Sequence, residues 1–375
     1  MSPTILISIN ASWNIVNFRR GLIAGLQQQG FRVVALAPPD DHSARLRELG
    51  VDYHPIEIDK QGVSPRRDMG LLLRYRHALR EIRPDVFLGY TAKPNIYGSI
   101  AAHMLGIPVI NNVSGLGTAF IKQGLLTRIV SGLYRLAFAR SRTVFFQNPE
   151  DRDMFVERRL VRAEQARLLP GSGVNLDEFR PADTRGSAGE PITFLLIARL
   201  LWDKGVGEFV EAARLVREAE PDARFQLLGF LDVENRTAVP RARVEAWVAE
   251  GLIEYLGPAD DVRPLIGQAD CVVLPSYREG LPRVLLEGAA MAKPLITTDV
   301  PGCRQVVDHG VNGLLCTVRD PRSLADAMLK MIRSGEARRS AMGAAGRRKI
   351  EAEYDERIAV GRYLDAIGEA LNGSG

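Results

Sequence analysis

The sequence predicts an α/β protein with two domains, each a parallel sheet flanked by helices. Short apolar runs alternate with longer segments of helical periodicity along most of the chain, which is typical of successive strand–helix–strand units. A polar stretch with Gly and Pro at residues 181–191 interrupts this alternation and reads as a linker. A length of 375 residues suits two domains of ordinary size.

In the first half, most predicted strands are short runs rich in apolar residues, and most predicted helices have apolar residues three and four positions apart. The predicted strands are residues 4–9, 31–36, 51–58, 86–89, 109–113 and 144–147. The predicted helices are residues 18–28, 70–82, 98–105 and 124–142. Lys93 and Asn95 follow the fourth strand, at the sheet edge where open α/β sheets bind ligands. They are therefore candidate binding residues.

The second half repeats the alternation without a detectable sequence repeat. Its predicted strands are residues 192–198, 224–228, 253–256, 271–274, 294–298 and 313–315. Its predicted helices are residues 207–218, 241–249 and 283–291, and a final helix spans 355–371. We expect a first domain at 1–183, a second at 190–352, and a terminal segment at 353–375 that returns to the first domain.

Composition narrows the class of protein. Hydrophobic residues make up 46% and charged residues 25%, which is average for a soluble globular chain. There is no apolar run of about 18 residues, and the first residues do not resemble a signal peptide. Three cysteines, at 271, 303 and 316, lack metal-binding spacing, and the five histidines are scattered. These features predict a cytoplasmic protein without a metal centre.

The charge is distributed unevenly. Residues 1–183 hold 24 Lys and Arg against 17 Asp and Glu, whereas the remainder holds 25 against 28. A basic half suggests an anionic partner or membrane surface, although solvated arginines alone would give the same balance. The helix at 124–142, with Arg128 and Arg135 opposite an apolar stripe, allows membrane contact or ordinary packing. Nucleic acid is disfavoured, because the arginines are not interleaved with aromatic residues.

The stretch from Asp270 to Gly302 is the most informative for function. It reads as strand, loop, helix and strand, with Glu279 in the loop. The N-terminus of the helix offers unpaired N–H groups that suit a phosphate. Glu287 lies eight residues after Glu279, roughly two helical turns on, so both carboxylates can face one opening.

Glu279, followed by Gly280, Leu281 and Pro282 and then by Glu287, resembles the signature of family 4 retaining glycosyltransferases of GT-B fold. Further segments carry the resemblance, which over most of the chain is nearest to bacterial transferases that extend polyprenyl-diphosphate-linked sugars. These segments are Ser114–Gly117, Gly171–Asn175, Ala198–Leu200, Leu201–Val206 and Tyr277–Pro282. The resemblance implies two Rossmann-like domains that face each other across a cleft.

The resemblance also implies roles for individual residues in the second half. Arg199 and Lys204 would clamp the donor diphosphate, which suits a planar guanidinium and a mobile ammonium. Glu287 would bind the ribose. Glu279 would contact the sugar hydroxyls and the anomeric centre, or act as a nucleophile. The other donor-site candidates are Gly280, Leu281, Pro282, Gly229, Pro258 and, from the first loop, Ser12.

The first domain is expected to bind the acceptor, through Lys93, Asn95, Ser114 and Gly115. Many family members have His-Gly where this chain has Ser114 and Gly115, so a histidine base is excluded there. The leaving phosphate can take the acceptor proton instead. The resemblance implies a UDP-sugar as donor substrate, no separate cofactor, a lipid-linked saccharide acceptor, and a place on the inner face of the bacterial cytoplasmic membrane. An epimerase or a non-catalytic nucleotide-sugar-binding protein remains the alternative.

Overall fold

A computed structural model describes residues 2–59, 64–115, 124–181, 191–233 and 235–373. The chain forms two compact units. Unit 1 comprises Met1–Ser172 together with Glu356–Gly375, and unit 2 comprises Gly173–Asp355. Each unit is built on one parallel sheet, so the predicted α/β class is confirmed.

Unit 1 has a seven-stranded sheet in the order β3-β2-β1-β4-β5-β6-β7, and every neighbouring pair is parallel. The strands are β1 (Thr4–Ser8), β2 (Arg32–Ala37), β3 (Asp52–Pro55), β4 (Val86–Tyr90), β5 (Val109–Val113), β6 (Thr143–Phe146) and β7 (Ala166–Leu168). The order reverses between β1 and β4, and in open α/β sheets this reversal creates a crevice at the carboxyl ends of the two strands.

Eight α-helices cover the described parts of this sheet. They are α1 (Ser12–Phe18), α2 (Arg20–Gln28), α3 (Ser43–Glu48), α4 (Pro65–Ile82), α5 (Ser99–Met104), α6 (Leu125–Phe138), α7 (Pro149–Glu157) and α14 (Glu356–Asn372). A short π-helix, Pro94–Gly98, leads into α5. The helix α14 packs beside α2 and buries Ala359, Tyr363 and Ile367 in the unit 1 core.

Unit 2 has a six-stranded parallel sheet in the order β10-β9-β8-β11-β12-β13. Its strands are β8 (Thr193–Ile197), β9 (Arg224–Leu228), β10 (Glu254–Gly257), β11 (Cys271–Leu274), β12 (Leu295–Thr298) and β13 (Gly313–Cys316). Its α-helices are α8 (Val206–Ala219), α9 (Arg241–Ala249), α10 (Arg263–Gln268), α11 (Arg283–Ala290), α12 (Pro321–Arg333) and α13 (Gly335–Glu353). Here the strand order reverses between β8 and β11.

The unit boundary lies earlier than the polar linker. The backbone N–H of Val174 donates to the Tyr354 carbonyl, 2.9 Å away, and Leu176 and Phe179 are buried in a core cluster of unit 2. Residues 173–181 therefore belong to unit 2, because apolar burial outweighs the local turn signals that surround them. Residues 182–190 of the expected linker lie outside the described residues.

Several helices have no counterpart among the predicted elements, notably α7 and α12. Both begin with a side chain that caps the first turn, Asn148 and Asp320, followed by proline at the first helical position. An Asn or Asp before Pro is a known start signal for a helix. These two helices could therefore have been predicted from the sequence, whereas α3 and α10 are too short to show a clear helical spacing of apolar residues.

The helix α6 differs in detail from the predicted amphipathic segment. Its buried side chains include Val130, Tyr134 and Phe138, whereas Ile129 and Leu136 are largely exposed. Arg135 donates to the carbonyl oxygens of residues 158 and 159 at the end of α7, so its guanidinium stabilises a helix C-terminus. None of the helices in the described ranges combines the length and apolar character needed to span a bilayer.

Candidate active site

The candidate donor site lies at the reversal point of the unit 2 sheet. The 3₁₀ turn Trp202–Lys204 follows β8, and the loop that holds Glu279 follows the neighbouring strand β11. Lys204 Nζ donates to Glu279 Oε1 over 2.5 Å. Both side chains are mostly buried, with 20% and 13% of their surface exposed. The fold therefore joins two predicted catalytic residues that are 75 positions apart in the chain.

Backbone contacts fix the two loops to each other. The carbonyl of Asp203 accepts hydrogen bonds from the N–H of Tyr277 at 2.9 Å and from the Ser276 hydroxyl at 3.1 Å. The Tyr277 hydroxyl bonds to Glu208 at the start of α8, 2.6 Å away. Gly205 has a φ of 74°, and a Cβ there would lie 2.1 Å from the Pro275 carbonyl oxygen. Only glycine permits this close approach of the two loops.

Glu279 keeps one oxygen available. The backbone N–H of Glu279 donates to the Pro301 carbonyl at 3.2 Å. The absence of a side chain at Gly302 leaves room for the backbone carbonyl of Glu279. Within the described ranges, Lys204 is the hydrogen-bond partner of Oε1, and Oε2 has none. An ammonium has three N–H donors, and one of those of Lys204 is used by Glu279. The pair can therefore accept further ligands without breaking.

Arg199 lies two residues beyond β8, and its side chain is exposed. Across the described part of the chain, its guanidinium has no hydrogen-bond or ion-pair partner. The Arg199 carbonyl is used, since the N–H of Leu201 donates to it at 2.7 Å. The guanidinium is consequently free to bind an anion, which fits its predicted role in a diphosphate clamp.

Glu287 lies within α11 and accepts a hydrogen bond from Arg283 Nε over 2.6 Å. The two side chains are largely buried, at 13% and 25% exposed. Burial raises the pKa of Glu287 above its ordinary value, and the nearby Arg283 opposes that increase. The (i, i+4) spacing of this pair was visible in the sequence, although its role in holding the carboxylate was not predicted.

The remaining donor-site candidates of unit 2 fall into two groups. Gly280 and Pro282 are buried and Leu281 is partly buried, so these three shape the loop before α11. Gly229 has a φ of 154°, and a Cβ there would lie 1.8 Å from the Ala198 carbonyl oxygen, so it serves close packing at the end of β9. Pro258 follows β10 and is exposed.

Ser12 is held within unit 1. It is fully buried at the start of α1, where its hydroxyl donates to the Pro38 carbonyl at 3.0 Å and accepts from Ser43 at 3.1 Å. Its assignment as a donor-binding residue stays a prediction. Its hydroxyl fixes the loop after β1, because a buried hydroxyl is satisfied by the nearest backbone acceptor.

Lys93, predicted as an acceptor residue, forms an ion pair in unit 1. Its Nζ lies 2.9 Å from Asp68 Oδ1, and the side chains are 15% and 5% exposed. Asp68 is on the first turn of α4, and its other oxygen accepts from the N–H of Ser64 at 3.1 Å. Burial and the adjacent Asp68 raise the pKa of Tyr97. Nothing in the sequence marked Asp68 as the partner of Lys93.

Asn95 is buried within a polar network. Its Nδ2 donates to the Asn112 carbonyl at 2.8 Å, and its Oδ1 accepts from Asn111 at 3.0 Å. Since both ends of the amide are occupied and the residue is 1% exposed, Asn95 holds the π-helix to β5. Its assignment as an acceptor-contacting residue stays a prediction.

Ser114 and Gly115 lie just after β5, and both are exposed. Gly115 has a φ of 146°, a backbone conformation that favours glycine. Their place at the carboxyl end of a central strand is compatible with ligand binding. Residues 116 and 117 of the same segment lie outside the described residues. Across the described ranges, no group of three or more His, Cys, Asp or Glu side chains could hold a metal ion.

Comparisons with known protein families agree with this geometry. The model described as "Glycosyl transferase 4-like domain" matches residues 15–171, and the model "Glycosyl transferases group 1" matches residues 191–334. Together they cover most of both units.

Two characterised relatives are similar along most of their lengths. The N,N'-diacetylbacillosaminyl-diphospho-undecaprenol α-1,3-N-acetylgalactosaminyltransferase of Campylobacter jejuni is 28% identical, over 95% of this chain and 96% of its own. The UDP-Gal:α-D-GlcNAc-diphosphoundecaprenol α-1,3-galactosyltransferase of Escherichia coli is 25% identical, over 83% and 85%.

Solved structures share the fold at lower identity. A glycosyltransferase from Rickettsia africae superimposes with a TM-score of 0.79 at 17% identity, covering 99% of both chains. Anabaena HepE, solved in complex with UDP and glucose, gives a TM-score of 0.79 at 16% identity, covering 97% of this chain and 99% of its own.

Proposed function

The chain belongs to the glycosyltransferases, and on that premise we propose that it transfers a sugar from a UDP-sugar to a polyprenyl-diphosphate-linked saccharide. It has a glycosyl transferase 4-like domain followed by a glycosyl transferases group 1 domain. The observation that carries the proposal is the Lys204–Glu279 pair at the reversal point of the unit 2 sheet, with Arg199 unpaired nearby in the chain. Open α/β sheets bind nucleotides at this position.

The chemistry follows from these charges. As the glycosyl–phosphate bond breaks, negative charge grows on the leaving diphosphate and positive charge on the anomeric carbon. The free N–H groups of Arg199 and Lys204 stabilise the diphosphate. The open oxygen of Glu279 faces the sugar hydroxyls and the anomeric centre. Glu287, held by Arg283, accepts both ribose hydroxyls, a bidentate task suited to a carboxylate.

We propose that transfer retains the anomeric configuration. The acceptor hydroxyl oxygen bonds to the anomeric carbon on the face that the diphosphate leaves, and the acceptor proton passes to the departing phosphate oxygen. No histidine stands at Ser114 to act as a base. The support is the supply of donors around the leaving group, which make the diphosphate a good leaving group and proton acceptor.

The acceptor class rests on the relatives and on the surface of unit 1. Both relatives act, by their names, on undecaprenyl-diphosphate-linked sugars. Consecutive helices α4, α5 and α6 pack side by side, and each exposes large apolar side chains, namely Met69, Leu73, Met104, Ile129 and Leu136. Exposed arginines on α4 and α6, including Arg66 and Arg128, accompany them. Apolar side chains with arginines suit an anionic bilayer surface, here the cytoplasmic leaflet.

A direct assay tests the proposal. Purified protein is incubated with a panel of UDP-sugars and a short-chain polyprenyl-diphosphate-linked saccharide, and UDP release is measured with and without acceptor. We expect release that depends on the acceptor, and a product whose anomeric configuration by NMR matches that of the donor. Conversion of a UDP-sugar without acceptor would indicate an epimerase instead, and binding without turnover would indicate a non-catalytic nucleotide-sugar-binding protein.

Activity should also survive EDTA, because Arg199 and Lys204 supply the positive charge that a divalent cation provides in other transferases. The measurement is the rate of UDP release before and after chelation, with a metal-dependent transferase as control. Loss of activity on chelation, restored by Mn²⁺, would refute metal independence while leaving sugar transfer intact.

A further inference from the structure

The reversal point of the unit 1 sheet holds a buried cation. Arg19 lies between α1 and α2, which follow β1, and its guanidinium carbon is 4.4 Å from the centre of the Tyr90 ring. Tyr90 is the last residue of β4, so the contact brings together the two strands between which the order reverses. Arg19 is only 6% exposed.

Within the described ranges this guanidinium has no carboxylate partner. It donates one hydrogen bond, from Nη1 to the Phe18 carbonyl at 3.0 Å. Its Nε is buried and makes no hydrogen bond. Taking an ammonium or guanidinium out of water without a counter-charge is costly, so a buried cation of this kind calls for an explanation.

The Tyr90 ring that Arg19 contacts is uncharged, as are the neighbouring side chains of Tyr363 and Asn112. Among the described residues, the Tyr90 hydroxyl and Asn112 Oδ1 are buried without a hydrogen-bond partner, and Asn112 Nδ2 donates to the Tyr363 hydroxyl at 2.8 Å. Burial raises the pKa of both Tyr90 and Tyr363, so these hydroxyls stay neutral near pH 7. Among the described residues, the guanidinium of Arg19 without a carboxylate partner therefore lies beside Tyr90, at the carboxyl edge of the unit 1 sheet, where two buried polar atoms also lack hydrogen-bond partners.

We infer that Arg19 is a binding residue for a phosphate group of a substrate, with the Tyr90 ring as the platform that aims its guanidinium. The planar fork of arginine matches phosphate oxygens, and an aromatic face below it preserves the remaining N–H donors. This inference rests on the proposed function, because sugar transfer between a nucleotide diphosphate and a polyprenyl diphosphate offers two sources of phosphate.

The test measures binding by calorimetry on the full chain, with UDP and with geranyl diphosphate as a water-soluble polyprenyl diphosphate. Arg19→Met removes the charge at similar volume. The control is Arg20→Met, since Arg20 is exposed and its Nε bonds to the Val16 carbonyl at 2.8 Å. We expect Arg19→Met to weaken one probe by roughly 10- to 100-fold, the loss typical of a charged hydrogen bond, and the control to change neither.

Which probe is affected identifies the source. Weaker geranyl diphosphate binding assigns Arg19 to the acceptor, and weaker UDP binding assigns it to the donor. Unchanged affinity for both would overturn the inference. Thermal unfolding of Arg19→Met distinguishes a role in packing from a role in binding. The melting temperature should stay the same or rise, because the substitution removes an unpaired buried cation. A lower melting temperature with unchanged affinities would make Arg19 a structural stacking residue.

A second variant covers failure of Arg19→Met to fold. Arg19→Lys keeps the charge but loses the fork, and it should weaken the same probe by a smaller factor; unchanged affinity would contradict the inference. The sugar-transfer assay on the unmodified protein remains independent. If the unmodified protein transfers sugar but the Arg19 variants bind UDP and geranyl diphosphate as it does, only the inference is refuted. If the protein transfers no sugar but the Arg19 variants bind one of these probes more weakly, only the proposed function is refuted.

Discussion

Each unit contains one buried pair of a lysine and a carboxylate at the carboxyl edge of its sheet. In unit 1, Lys93 after β4 pairs with Asp68. In unit 2, Lys204 after β8 pairs with Glu279. The two pairs are similar in length and burial, at 2.9 and 2.5 Å, yet their surroundings differ. We propose that only the pair of unit 2 belongs to a catalytic site.

The two pairs differ in how many carboxylate oxygens have a hydrogen-bond partner. Asp68 is on a helix, and both of its oxygens have partners, Lys93 and the N–H of Ser64. Glu279 is on a loop and keeps one oxygen without a partner in the described ranges, and Arg199, whose guanidinium has no partner there, lies five residues before Lys204. A saturated pair fixes structure, whereas an unsaturated one can bind a ligand.

Alanine at each lysine gives the largest expected contrast. Lys204→Ala should lower kcat by about 100- to 1000-fold, since removing one donor to a developing anion costs roughly 3 kcal/mol. Lys93→Ala should act mainly on the KM for the lipid acceptor, with kcat changed less than about tenfold. UDP release at varied acceptor concentration, with the donor saturating, measures both constants. Equal losses of kcat in the two variants would remove the distinction between the pairs.

The loss of unfolding free energy should be larger when the unit 1 pair is broken than when the unit 2 pair is broken. Asp68→Ala leaves Lys93 buried without its partner and frees the Ser64 N–H, which should cost about 3 kcal/mol, the lower end for broken buried pairs because Lys93 is partly exposed. Glu279→Ala should cost less, because its site is more open. Urea unfolding measures both values, and the double variant Asp68→Ala/Lys93→Ala isolates the coupling. A larger loss for Glu279→Ala would contradict this reading.

The proposed membrane-binding surface of unit 1 distinguishes the units in a third way. Arg66→Glu with Arg128→Glu should weaken binding to anionic liposomes by roughly 30-fold, from about 1 kcal/mol per basic residue near the leaflet. Arg135 is unsuitable for this test, because it caps α7. Reversing Arg322 and Arg348, exposed residues of unit 2, is the matched control. Equal weakening by both double variants would show a non-specific charge effect and not a unit 1 surface.

The smallest effect concerns Glu287 and pH. Its raised pKa means that the folded chain holds this proton more tightly than the unfolded chain does. Unfolding free energy should therefore fall as pH rises from near the ordinary glutamate value of 4.5 through the higher folded value. Glu287→Gln should remove that component. Melting temperatures of both forms across this window test the sign, and a wild-type curve that rises relative to the variant would refute it.

Much of the fold was predictable from local pattern. Strands such as β4 and β11 are short apolar runs between turn residues, and the alternation of strands and helices along the chain implied parallel sheets. The residues at their carboxyl ends, including Lys93, Ser114 and Glu279, could be named for the same reason. Helices such as α3 were missed because six residues are too few to display a period.

Tertiary structure alone decided which of these residues are buried and which side chains meet. A sequence pattern shows that Ser12, Asn95 and Lys204 follow strands, but not that the first two are buried with their polar atoms satisfied. It also does not show that Lys204 meets Glu279. Periodicity encodes the local path of the backbone, whereas side-chain partners depend on which strands become neighbours in the sheet. That choice set the pairing of β8 with β11, and with it the candidate active site.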